Sequence, residues 1–423
     1  MQKLIIFLIL LVSQLSAQVK FDEHFLPKTL RVDYAHSGNK SEDFYFFKAL
    51  KEEPYWGGSK VNLIDKFEYG KYLLEVFESA SQKLIYSRTF STLFSEWQTT
   101  KEAEKINKSF DESVVMPFPK NKVQIVISSR NRDHSLTPKF RLDIDPKNYF
   151  IDRGLKTIYD TIVILNSGDY SKKVDIVIIP DGYTSGQMIK FEKDARRFAD
   201  YIFNSSPYKE NKNNFNVRAV KAPSLERGTD IPAEGQYPNT LLNTTFYTFD
   251  EERYLMTEDF NKVRDIAANV PYDQIYILVN SNKYGGGAIY NHYSVCTSDD
   301  RYGEYVFVHE LGHGFAFLAD EYFTSSTAYI DFYPLNIEPL EPNITTLVDF
   351  ESKWKHLVTE GTPIPTPTES KYKNVTGAFE GGGYVAKGVY RPKMDCSMNS
   401  ISVDNYCPVC SEAIVKMIQF YSE

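Results

Sequence analysis

The sequence predicts a multidomain α and β protein, an N-terminal antiparallel β-sandwich followed by an α/β domain. Two observations carry that expectation. Up to about residue 150, short runs rich in β-branched and aromatic residues (LRVDY at 30–34, YLLEVF at 72–77, VQIVI at 123–127) recur between Gly, Asn, Asp and Ser. After about Thr157, buried strands alternate with helical runs, the pattern of a crossover sheet. The expected divisions are a signal peptide over 1–17, an accessory β-sandwich over 18–156 and a second domain over 157–423.

The leader comes first. Lys3 is followed by the apolar run LIIFLILLV at 4–12, and Ser16 and Ala17 offer a cleavage point before Gln18. That run is too short to span a bilayer and has the flanks of a secretory signal. With the first Cys at 296, an N-terminal lipid anchor is not expected, and no later stretch is apolar enough to cross a membrane. The mature chain is expected outside the cytoplasm, secreted, periplasmic or cell-surface associated.

The middle elements follow in order. Residues 174–180 (VDIVIIP) read as a buried strand, and Asp181-Gly182-Tyr183-Thr184 as a turn that caps a helical run from Ser185 to about Phe203. A strand over 215–220, a polar loop, a helix near 260–268 and a strand over 274–280 come next. Residues 285–295 read as a further strand before a helix.

Composition sets the class. With 42% hydrophobic and 25% charged residues the chain is globular, and 30 Tyr and 29 Phe suit a sheet-rich fold. Loss of the leader removes Lys3 and no acid, leaving 47 basic against 56 acidic residues. A net charge of −9 argues against nucleic acid as a partner. Four cysteines (Cys296, Cys396, Cys407, Cys410) in an exported chain are expected to form structural disulfides, with three connectivities open. Cys407-Pro408-Val409-Cys410 lacks the βαβ context of a redox motif, and no second Cys or His pair completes a zinc knuckle.

The chemistry concentrates at His309-Glu310-Leu311-Gly312-His313. On a helix, positions i and i+4 share a face, so both imidazoles reach one metal ion while Glu310 stands beside it to take a proton from water. Val306, Val308, Leu311, Phe315 and Leu318 supply the apolar face that supports a helix here. A catalytic zinc takes three protein ligands and keeps one position open. On a straight helix Asp320 would lie roughly 10 Å beyond His313, so its ligation requires the helix to end near 317–319. The other source is a Glu from a downstream helix, although 322–380 is rich in Pro, Asn and Thr. Asp320 is preferred, with Glu321 supporting the ligands from behind. His24, His36 and His134 stand apart from any such cluster, so no chemistry is expected before residue 150.

The run His309-Glu310-Leu311-Gly312-His313-Gly314-Phe315-Ala316-Phe317-Leu318-Ala319-Asp320-Glu321-Tyr322 resembles the active-site signature of the bacterial IgA-peptidase family, metzincin-like zinc endopeptidases. IPDGYT at 179–184, PSLERGTD at 223–230, NSNKYGGG at 280–287, Tyr390-Arg391-Pro392 and Cys396-Ser397-Met398 also resemble the family pattern. The likeness runs from about Thr157 to the C-terminus. It implies one catalytic Zn2+ on His309, His313 and Asp320, Glu310 as the acid/base, and Met398 in the methionine turn beneath the metal. Two departures from the ordinary metzincin pattern stand out. Position 316 is Ala where a glycine usually lets the helix stop, and the third ligand comes one residue later, as Asp rather than His.

Gly286, Gly287 and Ala288 are candidates for a sheet edge on which a peptide substrate adds as a strand. Tyr390 is a candidate for stabilising the oxyanion, His292 reads as structural, and Glu226 and Asp230 as loop anchors or a second cation site. The expected reaction is hydrolysis of peptide bonds in extracellular proteins, host immunoglobulin or mucosal proteins among them. Glu310 acts as general base toward a zinc-activated water. An exported binding protein that keeps the fold without turnover, or a thermolysin-like peptidase with a different third ligand, are the competing readings.

Overall fold

The computed structural model describes residues 18–324, 333–403 and 405–422, so the leader lies outside it. The N-terminal part carries strands β1 (Phe25–Gly38), β2 (Asp43–Glu53), β3 (Tyr72–Glu78), β4 (Leu84–Phe90), β5 (Lys108–Pro119), β6 (Val123–Arg130), β7 (Leu136–Ile144) and β8 (Asp152–Arg153), with short helices α1 (Phe21–His24) and α2 (Leu93–Trp97). They form two four-stranded sheets, β5-β1-β2-β8 and β4-β3-β6-β7. Period-two burial drives the arrangement. Tyr72, Leu74 and Val76 of β3 point inward while their neighbours are half-buried, and they meet Leu30, Val32 and Tyr34 of β1 in one core.

The second part is built on a six-stranded sheet of order β13-β14-β12-β10-β11-β9. Its strands are β9 (Thr161–Leu165), β10 (Val174–Asp181), β11 (Phe215–Val220), β12 (Gln274–Val279), β13 (Gly286–Ile289) and β14 (Tyr293–Thr297). The four inner strands run parallel, and β9 and β13 are antiparallel edges. All eight residues of β10 are buried, as a strand covered on both faces requires. Val174, Ile176 and Ile178 face α3 (Met188–Asn204) and α5 (Gly303–Ala316), whereas Val177 and Ile179 face α4 (Phe260–Ala267). A hairpin of β15 (Phe379–Gly382) and β16 (Val385–Arg391) and the C-terminal helix α6 (Pro408–Ser422) complete the fold. Among the described residues no helix is long and apolar enough to cross a membrane.

Two sequence expectations are corrected. The segment 285–295 is not one strand but the hairpin β13–β14, turned at Asn291 in the left-handed region (φ 53°). The two parts also share a core. Leu93, Phe94 and Trp97 of α2 and Phe110 of β5 enter the same apolar core as α4 and the outer face of the six-stranded sheet. The cysteines are all free. Cys396 Sγ and Cys410 Sγ are 3.8 Å apart, where a disulfide needs about 2.05 Å.

One carboxylate organises the loops above the parallel strands. Asp181, fully buried at the end of β10, accepts hydrogen bonds from Thr244 Oγ1 (2.6 Å), Thr244 N (3.1 Å), Leu242 N (2.9 Å), Thr240 Oγ1 (3.1 Å) and Ser224 Oγ (3.3 Å). Gly182 follows in the left-handed region (φ 68°), and a Cβ there would stand 1.9 Å from Gly228 O. This is why the stretches 179–184 and 223–230 belong together: they cross in direct contact. Asp181→Ala strips acceptors from several buried donors, each worth about 1–3 kcal/mol. Urea unfolding is expected to show a loss of at least ~3 kcal/mol, with a lowered midpoint and an unchanged slope.

Candidate metal centre

Helix α5 is the element on which the centre is built. It is buried on nearly every side, with Val306, Phe307, Val308, Leu311, Phe315 and Ala316 all in the core. Two glycines, each costing about 1 kcal/mol inside a helix, allow close packing on opposite flanks. A Cβ on Gly314 would sit 2.4 Å from Ser294 Oγ of β14. One on Gly312 would meet Tyr406 Oη at 2.9 Å and Met398 Sδ at 3.0 Å. Met398, fully buried, thus lies directly beneath the histidine-bearing turn.

The helix stops at Ala316 because Phe317 takes the left-handed conformation (φ 54°, ψ 35°). Phe317 N donates to His313 O (3.1 Å) and Leu318 N to Gly312 O (3.2 Å), which caps the last turn and sends the chain back along the helix. Asp320 therefore returns to the histidines. Its Oδ1 is 3.0 Å from His309 Nε2 and 3.4 Å from His313 Nε2, and the two Nε2 atoms are 3.1 Å apart.

Each donor is oriented from behind. His309 Nδ1 faces Ser397 O at 2.9 Å and His313 Nδ1 faces Leu318 O at 2.5 Å, so each ring has a carbonyl acceptor for a proton on Nδ1 and turns its Nε2 toward Asp320. Tyr384 Oη donates to Asp320 Oδ2, whereas the buried Asp320 Oδ1 receives no directed hydrogen bond. A tetrahedral ion with bonds of about 2.0–2.1 Å separates its ligand atoms by about 3.3 Å. The three atoms, with Oδ1 orphaned among them, fit such an ion.

Electrostatics agree. Burial opposes ionisation of Asp320, yet His313 and His309 overcome it and hold the carboxyl well below its ordinary range. Burial likewise opposes charging His313, but Asp320 and Glu310 bring it up to about 9 in the metal-free chain. Burial raises the Glu310 carboxyl, against the pull of the two histidines. Carboxyl and imidazole groups thus offset one another in one buried cluster.

The centre opens into a cleft of about 460 Å³. One wall is β13, Tyr254 and Arg253. The other comes from the N-terminal part, where Lys71, Glu96, Arg130 and His134 line the same space. Sequence reasoning placed no chemistry before residue 150; the folded chain nevertheless brings these N-terminal side chains to the wall of the cleft. The β13 edge is also shorter than expected, since Gly286 N donates to Arg253 O (3.2 Å) and Gly286 O accepts from Leu255 N (3.2 Å). With Gly287 facing the sheet, the alternation leaves Ala288 as the next residue whose peptide groups point outward.

Other residues fall elsewhere. Tyr390 pairs through its backbone with Thr345 on β16 and is not among the cleft-lining residues, whereas Tyr384, which sequence reasoning missed, is. Glu321 does not stand behind the histidines. Its N–H donates to Met398 O (2.7 Å), and its carboxylate accepts from Asn343 Nδ2 (3.1 Å) and faces Cys410 Sγ (3.2 Å). His292 is buried against Phe260 at 3.6 Å, a structural role, and Glu226 anchors a loop through Asn239 N (2.5 Å). Among the described residues, only short 3-10 turns lie between Tyr322 and Glu380, so no helix there presents a Glu to the centre.

Comparison with known families places this geometry. The family model described as IgA Peptidase M64 matches residues 162–372 and 368–418, and that of the Peptidase M64 N-terminus matches 20–141. The chain belongs to the IgA peptidase M64 family. It is accordingly a metallopeptidase, with the family's N-terminal domain preceding its peptidase domain. A search of curated proteins finds no match. For this M64 peptidase the least anticipated contributor is Tyr384, carried on the loop between β15 and β16 at φ 63°. Tyr384→Phe is expected to weaken metal binding about 10–100-fold, read by competition with a chromogenic chelator, while the circular dichroism spectrum is unchanged.

Proposed function

We propose that the chain is an exported zinc endopeptidase that hydrolyses peptide bonds of extracellular proteins, with host immunoglobulin and mucosal proteins as the substrate class. One observation carries it: His309 Nε2, His313 Nε2 and Asp320 Oδ1 converge to within 3.4 Å at the floor of a cleft that Glu310 also lines. Two imidazoles and one carboxylate in a tetrahedral arrangement with an open side are the donor set of catalytic zinc. The apolar leader with its small-residue cleavage point supports export.

The residues divide the work. Zinc, when bound, polarises the scissile carbonyl and makes a water acidic. Glu310 accepts the proton of the attacking water on its carboxylate and passes it to the leaving amine, and the burial that raises its pKa suits it to both transfers. Tyr384 fixes the rotamer of Asp320 through Oδ2. Arg253 and Tyr322, joined by a 3.2 Å hydrogen bond at the cleft wall, supply donors where negative charge develops on the carbonyl oxygen. Ala288 offers the peptide groups on which an extended substrate aligns. A binding protein without turnover has no use for Glu310 beside the donors.

Glu310→Gln is expected to retain metal by elemental analysis and to lose peptide-library cleavage by about 10²–10⁴-fold. Undiminished cleavage in that variant would remove Glu310 from the role. For the edge strand, Ala288→Pro deletes one outward N–H and is expected to lower kcat/KM with metal content unchanged. Equal turnover of extended substrates by this variant would dismiss the strand-addition mode.

A further inference from the structure

A second cluster lies beneath the first and the peptidase reading does not use it. Cys396, Cys407, Cys410 and Glu321 are all buried, and one ligand atom from each lies within 4.8 Å of the others. Cys396 Sγ and Cys410 Sγ are 3.8 Å apart, and Glu321 Oε1 is 3.2 Å from Cys410 Sγ. A tetrahedral zinc with Zn–S bonds of about 2.3 Å sets its sulfurs about 3.8 Å apart. Glu321 is fully buried and its Oε2 receives no hydrogen bond, an orphaned carboxylate oxygen beside three sulfurs.

The surroundings suit thiolates. Cys407 immediately precedes α6, with Pro408 as its first residue, so the helix N-terminus faces the sulfurs. Cys407 N donates to Cys396 Sγ (3.2 Å) and Cys410 N to Cys407 Sγ (3.5 Å). Arg391, buried, with its Nε unpartnered, is a positive neighbour of Glu321. Disulfides explain the cluster poorly. Cys296 lies on β14 outside the group, and three sulfurs cannot pair without leaving one buried thiol beside an unpartnered carboxylate.

We infer that Cys396, Cys407, Cys410 and Glu321 form a second, structural zinc site, closed to substrate and distinct from the peptidase centre. It ties together three segments: the return segment after α5 through Glu321, the Cys396-Ser397-Met398 turn, and the start of α6. That turn holds the upper centre, because Ser397 O orients His309 and Met398 Sδ packs under Gly312. Closing the site releases the thiol protons to solvent as the three sulfurs bind.

The test uses the full chain, expressed with zinc and desalted. Elemental analysis is expected to give about two equivalents of zinc in the wild type and about one in His309→Ala/His313→Ala. Grown on cobalt, that histidine variant is expected to keep thiolate-to-cobalt charge-transfer bands. Cys407→Ser/Cys410→Ser is expected to lose those bands. In the wild type Cys396, Cys407 and Cys410 should resist alkylation until chelator and denaturant are added together. A disulfide among them in the intact mass of the wild type overturns the inference, as does a folded histidine variant that holds no metal. One equivalent of metal in the wild type with the thiolate bands present would remove the histidine centre and leave this site standing.

Discussion

Two imidazoles one helical turn apart define a point that their own helix cannot supply with a third donor if it continues straight. The centre therefore depends on how α5 ends. In an ordinary metzincin pattern a glycine at 316 would permit the turn and a ligand at 319 would follow. Here both events move one residue on: Phe317 adopts the left-handed backbone and Asp320 returns to the histidines. A bulky residue in that region costs about 1–2 kcal/mol. The strain is held by packing, with Phe317 stacked on Tyr69 at 5.4 Å and set against Tyr290 at 4.9 Å. The side chain of Phe317 thus does by contact what a glycine does by freedom.

The layer below fixes the histidines in a way that the ligands alone could not. Burial of α5 leaves its ring nitrogens no water on the inner side, so each Nδ1 must find a protein acceptor. Leu318 O serves His313 because the reversal puts it there, and Ser397 O serves His309 because the 396–398 turn passes under the helix. Small residues at 312 and 314 let the turn on one flank and β14 on the other approach the helix backbone. The return segment is then tied to the turn by Glu321 N–H to Met398 O. Ligand orientation, helix termination and the methionine turn are one connected arrangement.

Much of this was legible in the chain. The spacing of His309 and His313 reports a helix face, and the requirement that the helix break before Asp320 follows from helix rise alone. Period-two runs marked the sandwich, and the largely apolar 174–180 marked a strand covered on both faces. What failed to show had physical reasons. Glu321 adjoins Asp320, so it read as support for the histidines, but consecutive residues in an extended return segment point to opposite sides. Tyr384 sits in a glycine-rich hairpin turn, with no periodicity to indicate which aromatic would face Asp320. Cys407 and Cys410 suggested disulfides because the partner that completes their set is a glutamate distant in sequence.

The N-terminal domain was the least readable element, and its role follows from where its surface goes. A detached accessory domain would keep its aromatic residues in its own core. Here Phe94, Trp97 and Phe110 are buried jointly with the peptidase domain, and Arg31 bonds across to Asp265 of α4 at 2.8 Å. Ser91 N donates to Tyr290 O (3.0 Å) and Asn291 Nδ2 to Thr89 O (2.8 Å), which locks β4 to the hairpin whose β13 lines the cleft. Tyr69, from the same domain, packs on the residue that reverses the chain. The domain therefore forms one wall of the cleft, braces the edge strand and supports the backbone conformation that delivers the third donor. Its separation from the histidines in sequence says nothing about its distance from the chemistry.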